Sequence, residues 1–464
     1  METTQLLNEN PFLSIRKGRL YLEDVDLVEA AKTHGTPLFV VSENYLRQNI
    51  RAYKSAFETY WPEGTVKVLP SVKANPNIAI RKIIDSEGGG CDTFGPGELE
   101  CVIRAGISGE NIFVNGSIKS KEIIQKSITL GATIILDSPK ELDMCIEAAK
   151  KLEMRANVLL RLKPWLGDTD EMSDFIPSSE IRRLTQTIKY GIPKTEVLSM
   201  AERLICCDEV NLLGVHIHMG RHSKKLSVWE QLIKSYVLLI KELSDILNGW
   251  TPKIVNFGGG FAASLDKETQ VAQTNYATPT VEDYAKSMTS AFRSRMTEAN
   301  LSTKGIMIQV EPGRATHNQT GLHLTTVKNI KHETKNINHT WAEVDTSEVF
   351  LGIHGVNPTP PFDYIVASKA DEPNEMTCDI VGMTCNAEWL FENVTVPNLC
   401  EDDVIALLNT GSYIEPMAAN FNALPRPGMV LISGDKCNII KRHETVDEVF
   451  SRQVIPAYLD KKSI

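Results

Sequence analysis

The sequence has no apolar run that approaches the roughly 20 residues needed to span a bilayer. Its first residues, METTQLLNENPFLSIRKGRLY, also lack the apolar core of a secretory signal. The nine cysteines have no paired C-x-x-C spacing, and Cys206 and Cys207 are simply adjacent. We therefore expect a cytoplasmic protein with free thiols, and neither a disulfide framework nor a zinc site built on cysteines.

Positive charge is in deficit, since 49 lysine and arginine residues stand against 59 acidic ones, a net charge of −10. The resulting pI of about 5.6 argues against a nucleic-acid binder. With 42% apolar and 23% charged residues, the composition is ordinary for a soluble globular protein. The length of 464 residues predicts two domains, or one large barrel with an addition.

What the sequence does contain is a repeated alternation of short β-type runs with helical segments. The clearest helical segment, WEQLIKSYVLLIKELSDIL, places apolar residues on one face. Eight strands alternating with helices predict a (β/α)₈ TIM barrel, with a doubly wound open sheet as the alternative, since periodicity cannot show closure. The predicted strands are Val66–Val72, Gly90–Phe94, Ile112–Val114, Thr133–Leu136, Val158–Leu162, Leu213–His218, Ile254–Phe257 and Met307–Val310.

The pattern changes after Arg314, where runs such as GMVLISGDKCNIIKR alternate apolar and polar residues between turn signals. We predict a C-terminal antiparallel β domain there. Because chain termini often lie close together, the opening residues are expected to join it. The predicted division is a barrel at 37–315 and a β-rich domain at 1–36 and 316–464. The long connection from Lys163 to Asn211 is predicted to carry an insertion.

Barrel enzymes often hold phosphate between the loops that follow strands seven and eight. Here those loops are NFGGGF and VEPGRA. Gly258, Gly259 and Gly260 bring backbone N–H groups close to an anion, and Arg314 adds a charge-assisted contact. The alternative for the three glycines is a flexible turn.

Three further side chains end predicted strands. Lys73 ends the first strand, and it is either a solvent-exposed surface lysine or a lysine that forms an imine with a ligand. His218 ends the sixth, where it and His216 are candidates for zinc ligands or for contact with an aromatic cofactor. Glu311 ends the eighth, in a salt bridge with Arg314 or as a ligand contact. A phosphate cradle, a carboxylate and an imine-forming lysine are together what pyridoxal phosphate requires.

The order of motifs from about residue 37 to the C-terminus resembles the fold type III pyridoxal-phosphate decarboxylases, the diaminopimelate and ornithine decarboxylases with an alanine-racemase-like barrel. Each motif is weak alone, and the ordered set is specific. The motifs are SVKAN, GPGELE, HIHMG, NFGGGF, VEPGRA, GMTCNAE and TGSYIEPMAANFNALPRP.

The resemblance implies roles for matching positions. Lys73 holds the cofactor covalently, His218 stacks on its ring and Glu311 faces the pyridine nitrogen. Cys385 matches the catalytic cysteine, which this family contributes across a dimer interface, so the resemblance implies a homodimer with active sites at the interface. The phosphate contacts fall on Gly258, Gly259, Gly260, Gly313, Arg314 and Tyr413.

Some positions depart from the family pattern. The segment VDTSEVFLGIHGVNP has no arginine, although the diaminopimelate enzymes use one there to bind a substrate carboxylate. Asn386 replaces the usual acidic residue after the cysteine, with Glu388 two positions on. Arg221 replaces a common serine and is either a substrate or phosphate contact or a solvated loop charge. We take Arg221, Asn386 and Glu388 as candidate substrate contacts.

Loss of one carboxylate anchor and retention of Glu388 favour a substrate with a distal ammonium group. We therefore expect pyridoxal-phosphate-dependent decarboxylation of a basic amino acid, D-lysine or D-ornithine, to a diamine and CO₂. The alternative is meso-diaminopimelate decarboxylation to L-lysine. Alternatives of other classes are a non-catalytic homologue, an amino-acid racemase and a cofactor-free phosphosugar enzyme. Retention of Lys73, Glu311 and Cys385 argues against a non-catalytic homologue. The G-x-x-C segment of Cys385 argues against a racemase, which typically uses a tyrosine as its second base. A phosphosugar enzyme would leave the lysine and the cysteine unexplained.

Overall fold

The structure is a computed structural model that describes residues 3–163, 188–218, 224–263, 277–352 and 362–459. It divides into two compact units, one spanning Leu46–His317 and the other combining Met1–Tyr45 with Asn318–Ile464. The barrel unit begins nine residues later than the predicted boundary at residue 37 and ends two residues later than the predicted boundary at residue 315. The segment after residue 37 belongs to the second unit because its strand pairs there.

Helices alternate with strands through the first unit, as the sequence pattern predicts. The predicted amphipathic helix is present, with Leu232, Tyr236, Leu239 and Leu243 buried. Among the described helices, none combines the length and apolar character that crossing a bilayer requires. The helices are α1 (Thr3–Glu9), α2 (Leu27–His34), α3 (Glu43–Tyr60), α4 (Ile78–Ser86), α5 (Pro96–Arg104), α6 (Lys121–Leu130), α7 (Pro139–Leu152), α8 (Lys194–Leu204), α9 (Leu226–Ile246), α10 (Val281–Glu298), α11 (Arg314–His317) and α12 (Val446–Phe450).

Strands fall into separate sheets in the two units. The first twelve are β1 (Leu13–Arg16), β2 (Arg19–Leu22), β3 (Val25–Asp26), β4 (Leu38–Ser42), β5 (Val66–Val68), β6 (Cys91–Thr93), β7 (Ile112–Val114), β8 (Thr133–Leu136), β9 (Ala156–Arg161), β10 (Val210–His216), β11 (Ile254–Asn256) and β12 (Met307–Val310). The others are β13 (Gly321–Glu333), β14 (His339–Val344), β15 (Tyr364–Val366), β16 (Met376–Val381), β17 (Trp389–Val396), β18 (Val404–Leu408), β19 (Gly428–Ser433) and β20 (Lys436–Lys441).

The first unit is the predicted barrel. Its eight strands run in the order β5-β12-β11-β10-β9-β8-β7-β6, and every pair is parallel. The ends of this sheet meet, because Ser71 bridges Asp92 in parallel and the Gly90 N–H donates to the Val68 carbonyl at 2.9 Å. The sheet is therefore closed, which rules out the open doubly wound alternative.

Local sequence explains where the barrel helices begin and end. α6 starts after Ser120, whose hydroxyl accepts from the Ile123 N–H at 3.3 Å, and stops at Gly131 with φ 72°. α7 starts after Ser138, which accepts from the Glu141 N–H at 3.4 Å. Residues 164–187 of the insertion predicted between Lys163 and Asn211 lie outside the described residues, and the described part contributes α8.

Strand register places polar side chains together inside the barrel. Arg161, His216, Asn256 and Gln309 are successive partners across β9, β10, β11 and β12, so their side chains share one face. A buried apolar cluster lies one layer below, with Leu159 and Ile254 two positions before Arg161 and Asn256; its members are Leu69, Phe113, Ile135, Leu159 and Ile254. The barrel thus has an apolar layer beneath a polar layer at its C-terminal end.

The second unit is β-rich, with a three-stranded antiparallel sheet of β1, β2 and β3. Its larger sheet runs β17-β16-β14-β13-β4-β19-β20, and β18 pairs with both β13 and β15. Most pairs are antiparallel, as predicted, but β14–β16 and β4–β19 are parallel. The chain beginning at residue 37 thus enters this sheet as β4 before it reaches the barrel.

Candidate active site

Polar side chains cluster at the C-terminal ends of the barrel strands, where barrel enzymes place their sites. All are at most 5% exposed. Charged and amide groups buried to this degree need partners, so the cluster is a connected network rather than a set of isolated residues. Its members are Asp92, Asn115, Arg161, His216, Asn256 and Glu311.

Lys73 lies just beyond β5, on a single 3₁₀ turn formed by Val72–Ala74. Its Nζ lies 3.5 Å from Oδ2 of the buried Asp92 and 3.5 Å from the Ser71 hydroxyl. The side chain remains 38% exposed. The amine thus lies next to a buried carboxylate and is still accessible from solvent. A lysine that only extends its amine to the surface would not need a buried carboxylate beside it.

Glu311 follows β12 and its side chain is fully buried. The Asn256 amide donates to Oε1 at 2.7 Å, and His216 Nε2 lies 3.2 Å from Oε1. Burial raises the pKa of Glu311 to about 7, against the opposing effects of the Lys73 charge and the Asn256 hydrogen bond. Asn256 and His216 thus hold this carboxylate, rather than the salt bridge with Arg314 considered above.

The two histidines of HIHMG have different surroundings. Burial lowers the pKa of His216 far below its usual range, so the ring is neutral, and its Nε2 forms a hydrogen bond with the Glu311 carboxyl group. Burial and the positive charge of Lys73 also lower the pKa of His218. Within the part of the chain that the structure describes, no group of three or more potential ligands is placed to hold a metal ion.

The glycine loop after β11 is packed against its neighbours. A side chain at Gly258, where φ is +66°, would put its Cβ 2.1 Å from the Ile217 carbonyl oxygen. One at Gly259 would lie 2.7 Å from the Glu311 carbonyl oxygen and 3.2 Å from His218 Nε2. The Gly258 N–H is held by Asn256 Oδ1 at 2.7 Å. These contacts define a fixed turn rather than a flexible one, with backbone close to His218 and Glu311.

The remaining predicted residues lie in other segments. Arg314 begins α11, directly after Gly313. In the second unit, Tyr413 has an unusual positive φ of 61°. Arg221 lies outside the described residues.

The loop that carries Cys385 is built around Glu388. This carboxylate is 2% exposed and accepts from the Ser347 hydroxyl at 2.6 Å and from the Thr384 hydroxyl. Cys385 itself is exposed, with Sγ 3.4 Å from Asn422 Oδ1. Glu388 thus shapes the turn that presents the cysteine, and its substrate contact stays a prediction. Asn386 is exposed and donates to Glu348 at 3.1 Å.

Several members of the buried network were not predicted as site residues from the sequence. Asp92, Asn115, Arg161 and Asn256 sit in short motifs that say little alone. A signal was available for Asn115, Arg161 and Asn256, which end or directly follow apolar runs in FVN, LLR and IVN, whereas Asp92 lies in the middle of CDT. Polar residues that face inward at the C-terminal ends of barrel strands could therefore have been predicted as site residues.

The family described as "Pyridoxal-dependent decarboxylase, pyridoxal binding domain" matches residues 44–318, more than half of the chain. The chain therefore belongs to this family. It is a pyridoxal-phosphate-dependent carboxy-lyase with the fold expected of one, and the non-catalytic, racemase and phosphosugar alternatives are set aside.

Proteins similar to this chain along most of its length include diaminopimelate decarboxylases. The chain is 29% identical over 450 residues to a diaminopimelate decarboxylase of Archaeoglobus fulgidus, covering 96% of this chain and 99% of that one. It is 26% identical to another from Methanothermobacter thermautotrophicus, covering 96% and 98%. A solved diaminopimelate decarboxylase from M. jannaschii superposes with a TM-score of 0.84 at 25% identity, covering 97% of this chain and 100% of that one.

A lysine/ornithine decarboxylase from Vibrio vulnificus, solved with putrescine, has a TM-score of 0.68 at 18% identity and covers 88% and 98%. At that identity the likeness shows the common fold alone.

Proposed function

We propose that this enzyme decarboxylates meso-diaminopimelate, giving L-lysine and CO₂. The observation that carries the proposal is similarity to diaminopimelate decarboxylases along almost the whole chain, through barrel and β-rich unit alike. The expected basic monocarboxylate, D-lysine or D-ornithine, has no comparable support. The missing arginine in residues 344–358 is therefore better explained by a substrate carboxylate that is bound from another position.

The residues of the barrel fit pyridoxal phosphate. Lys73 would bind it covalently, His218 would contact its ring and Glu311 its pyridine nitrogen. When bound, the cofactor supplies an electron sink for the pair left on Cα as CO₂ departs. Because Gly258 and Gly259 have no side chain, the backbone N–H groups of this loop can lie close to an anion. The proposed phosphate contacts are Gly258, Gly259, Gly260, Gly313, Arg314 and Tyr413.

Neutral donors around Glu311 suit its proposed task. Asn256 and His216 each bring a polar N–H toward the carboxylate, which favours the anion without cancelling its charge by a full cation. An anionic Glu311 in turn favours a protonated pyridine nitrogen. Asp92 holds the Lys73 Nζ in place by attraction across 3.5 Å, so the amine stays beside the reacting bonds.

Substrate preference tests the proposal directly. We expect kcat/KM for meso-diaminopimelate to exceed that for D-lysine, D-ornithine and L-ornithine by roughly 100-fold or more, because the substrate's distal carboxylate adds a charged contact. CO₂ release from each amino acid at equal enzyme concentration provides the measurement. A higher kcat/KM for D-lysine or D-ornithine would reject diaminopimelate in favour of a basic monocarboxylate.

We also propose a homodimer in which Cys385 acts in the active site of the partner subunit. Exposed apolar side chains occur in the segments around Cys385 and its contact Asn422, a composition typical of an interface core. Their exposed fractions are 48% for Met383, 53% for Trp389, 49% for Met417 and 41% for Phe421.

Replacing Cys385 by alanine should lower kcat roughly 100-fold, because a positioned proton donor contributes about that factor. Mixing inactive Lys73→Ala with Cys385→Ala subunits should then restore up to about a quarter of wild-type activity, since half of the random dimers carry one complete site. Steady-state CO₂ release after mixing measures this. Cys400→Ala, which alters another exposed cysteine of the same unit, is the control. Absence of recovery on mixing would place Cys385 in the site of its own chain.

A further inference from the structure

A buried arginine joins the two backbone segments that carry the proposed cofactor contacts. Arg81, on α4, is 0% exposed. Its Nη1 donates to the Pro70 carbonyl at 2.9 Å, three positions before Lys73. Its Nη2 lies 2.7 Å from Nε2 of His317, three positions after Arg314. One guanidinium thus contacts both the lysine segment and the segment of the proposed phosphate turn.

The direction of these hydrogen bonds is fixed. A guanidinium only donates, so Nε2 of His317 must accept, and the ring proton sits on Nδ1. That nitrogen lies 3.0 Å from the Gly313 carbonyl and 2.8 Å from the Thr316 hydroxyl. Burial, with the charge of Arg81, lowers the pKa of His317 to about 3, so the ring stays neutral at working pH. The path from Pro70 through Arg81 and His317 to Gly313 is continuous.

The charge of Arg81 is poorly compensated inside the protein. Among the residues that the structure describes, no carboxylate forms an ion pair with it, its Nε has no hydrogen-bond partner, and the nearby Cys91 side chain is only a weak acceptor. Glu98 attracts it only through space, and burial raises the pKa of the neighbouring Cys91 thiol to about 11, which keeps that thiol neutral. A buried cation of this kind is unfavourable unless an anion lies nearby.

We propose that Arg81 is a positioning residue for the cofactor's phosphate. Through His317 it fixes the Gly313–Arg314 turn, and the phosphate dianion offsets the buried positive charge. The inference rests on the proposed assignment of the phosphate to that turn. It does not depend on which amino acid is the substrate, because it concerns cofactor binding alone.

The test compares pyridoxal phosphate with pyridoxal, which lacks the phosphate. In Arg81→Leu, the affinity of the apo protein for pyridoxal phosphate should fall roughly 10- to 100-fold, because the turn that makes the charge-assisted phosphate contacts is no longer held in place. The affinity for pyridoxal should fall less than about threefold. Equilibrium dialysis without amino acid gives both constants. Equal losses for the two compounds, or no loss for either, would overturn the proposal.

Controls separate this role from general destabilisation. Lys82→Met changes the next residue of α4, whose Nζ donates to the Ala105 carbonyl at 3.1 Å, and should leave both affinities unchanged. If Arg81→Leu does not fold, His317→Leu keeps the arginine but breaks its link to Gly313, and should also weaken pyridoxal phosphate selectively. Equal affinity losses for both compounds in that variant would count against the inference.

Arg314→Met tests the underlying assignment. If this variant leaves the ratio of the two affinities unchanged, the phosphate does not bind at the Gly313–Arg314 turn, and the proposed site itself is wrong. If Arg314→Met changes the ratio while Arg81→Leu does not, the site stands and only the role of Arg81 fails.

Discussion

Lys73→Ala should lower kcat on the order of 10,000-fold, the scale seen when a covalent catalytic group is removed. The reason is that the Lys73 Nζ, which lies beside Asp92, is the amine that we expect to form the imine with the cofactor's aldehyde carbon. Borohydride reduction of the wild-type enzyme should fix pyridoxal phosphate to Lys73, and mass spectrometry of peptides should find no such tag in the variant. CO₂ release gives the loss of turnover.

Lys67 provides the matched control for this experiment. It lies within β5, and burial lowers the pKa of its amine, so desolvation alone would make it a comparable nucleophile. We expect Lys67→Met to keep the tag on Lys73 and most of the activity. A tag on Lys67, or wild-type turnover in Lys73→Ala, would show that the covalent site has been assigned to the wrong lysine.

Glu311→Gln should lower kcat on the order of 1,000-fold, comparable with the loss of one preorganised electrostatic contact. The amide keeps the size of the side chain and its hydrogen bonding with Asn256, but removes the negative charge that favours a protonated pyridine nitrogen. CO₂ release measures the effect. An unchanged kcat would mean that this charge does not assist the reaction.

The charge of Glu311 can also be measured through the pH dependence of the stability of the apo protein. Burial raises the pKa of Glu311 from 4.5 to about 7 in the folded state. Between these values the folded protein holds the proton more tightly than the unfolded chain, so the free energy of unfolding falls as pH rises from 4.5 to 7. The total loss is on the order of 3 kcal/mol.

Glu311→Gln removes this titration. The stability of the apo variant relative to wild type should therefore increase from pH 5 to pH 7.5, measured by denaturant unfolding. Glu147→Gln, on the exposed face of α7, should show no such trend. A pH-independent difference between Glu311→Gln and wild type would indicate that Glu311 is already ionised throughout this range.

The barrel was predictable from the sequence to a considerable extent. All eight predicted strands are present, because strands buried on both faces read as short apolar runs between helices. Closure was not predictable, since it depends on the backbone contact between Ser71 and Asp92. The pairing of β4 in the β-rich sheet was not predictable either, because its apolar residues could be buried equally well in the barrel or in the β-rich unit.

The candidate site divides in the same way. Lys73, Glu311 and the glycine loop stand out in the sequence because their residue types are unusual at strand ends and belong to recognisable motifs. From the sequence, His216 was a candidate for a zinc ligand or for contact with an aromatic cofactor, and a partnership with Glu311 was not considered. Its hydrogen bond to Glu311 depends on the register that pairs β10 with β11 and β11 with β12.

The sequence by itself determined the class of enzyme, the cofactor and the strand and helix order, because these are written in local patterns and in the order of short motifs. Only the tertiary structure decided which polar groups surround Glu311, and that Arg81 bonds to both Pro70 and His317. Hydrogen bonds between residues far apart in the chain are set by strand register and helix packing, which local residue patterns do not specify.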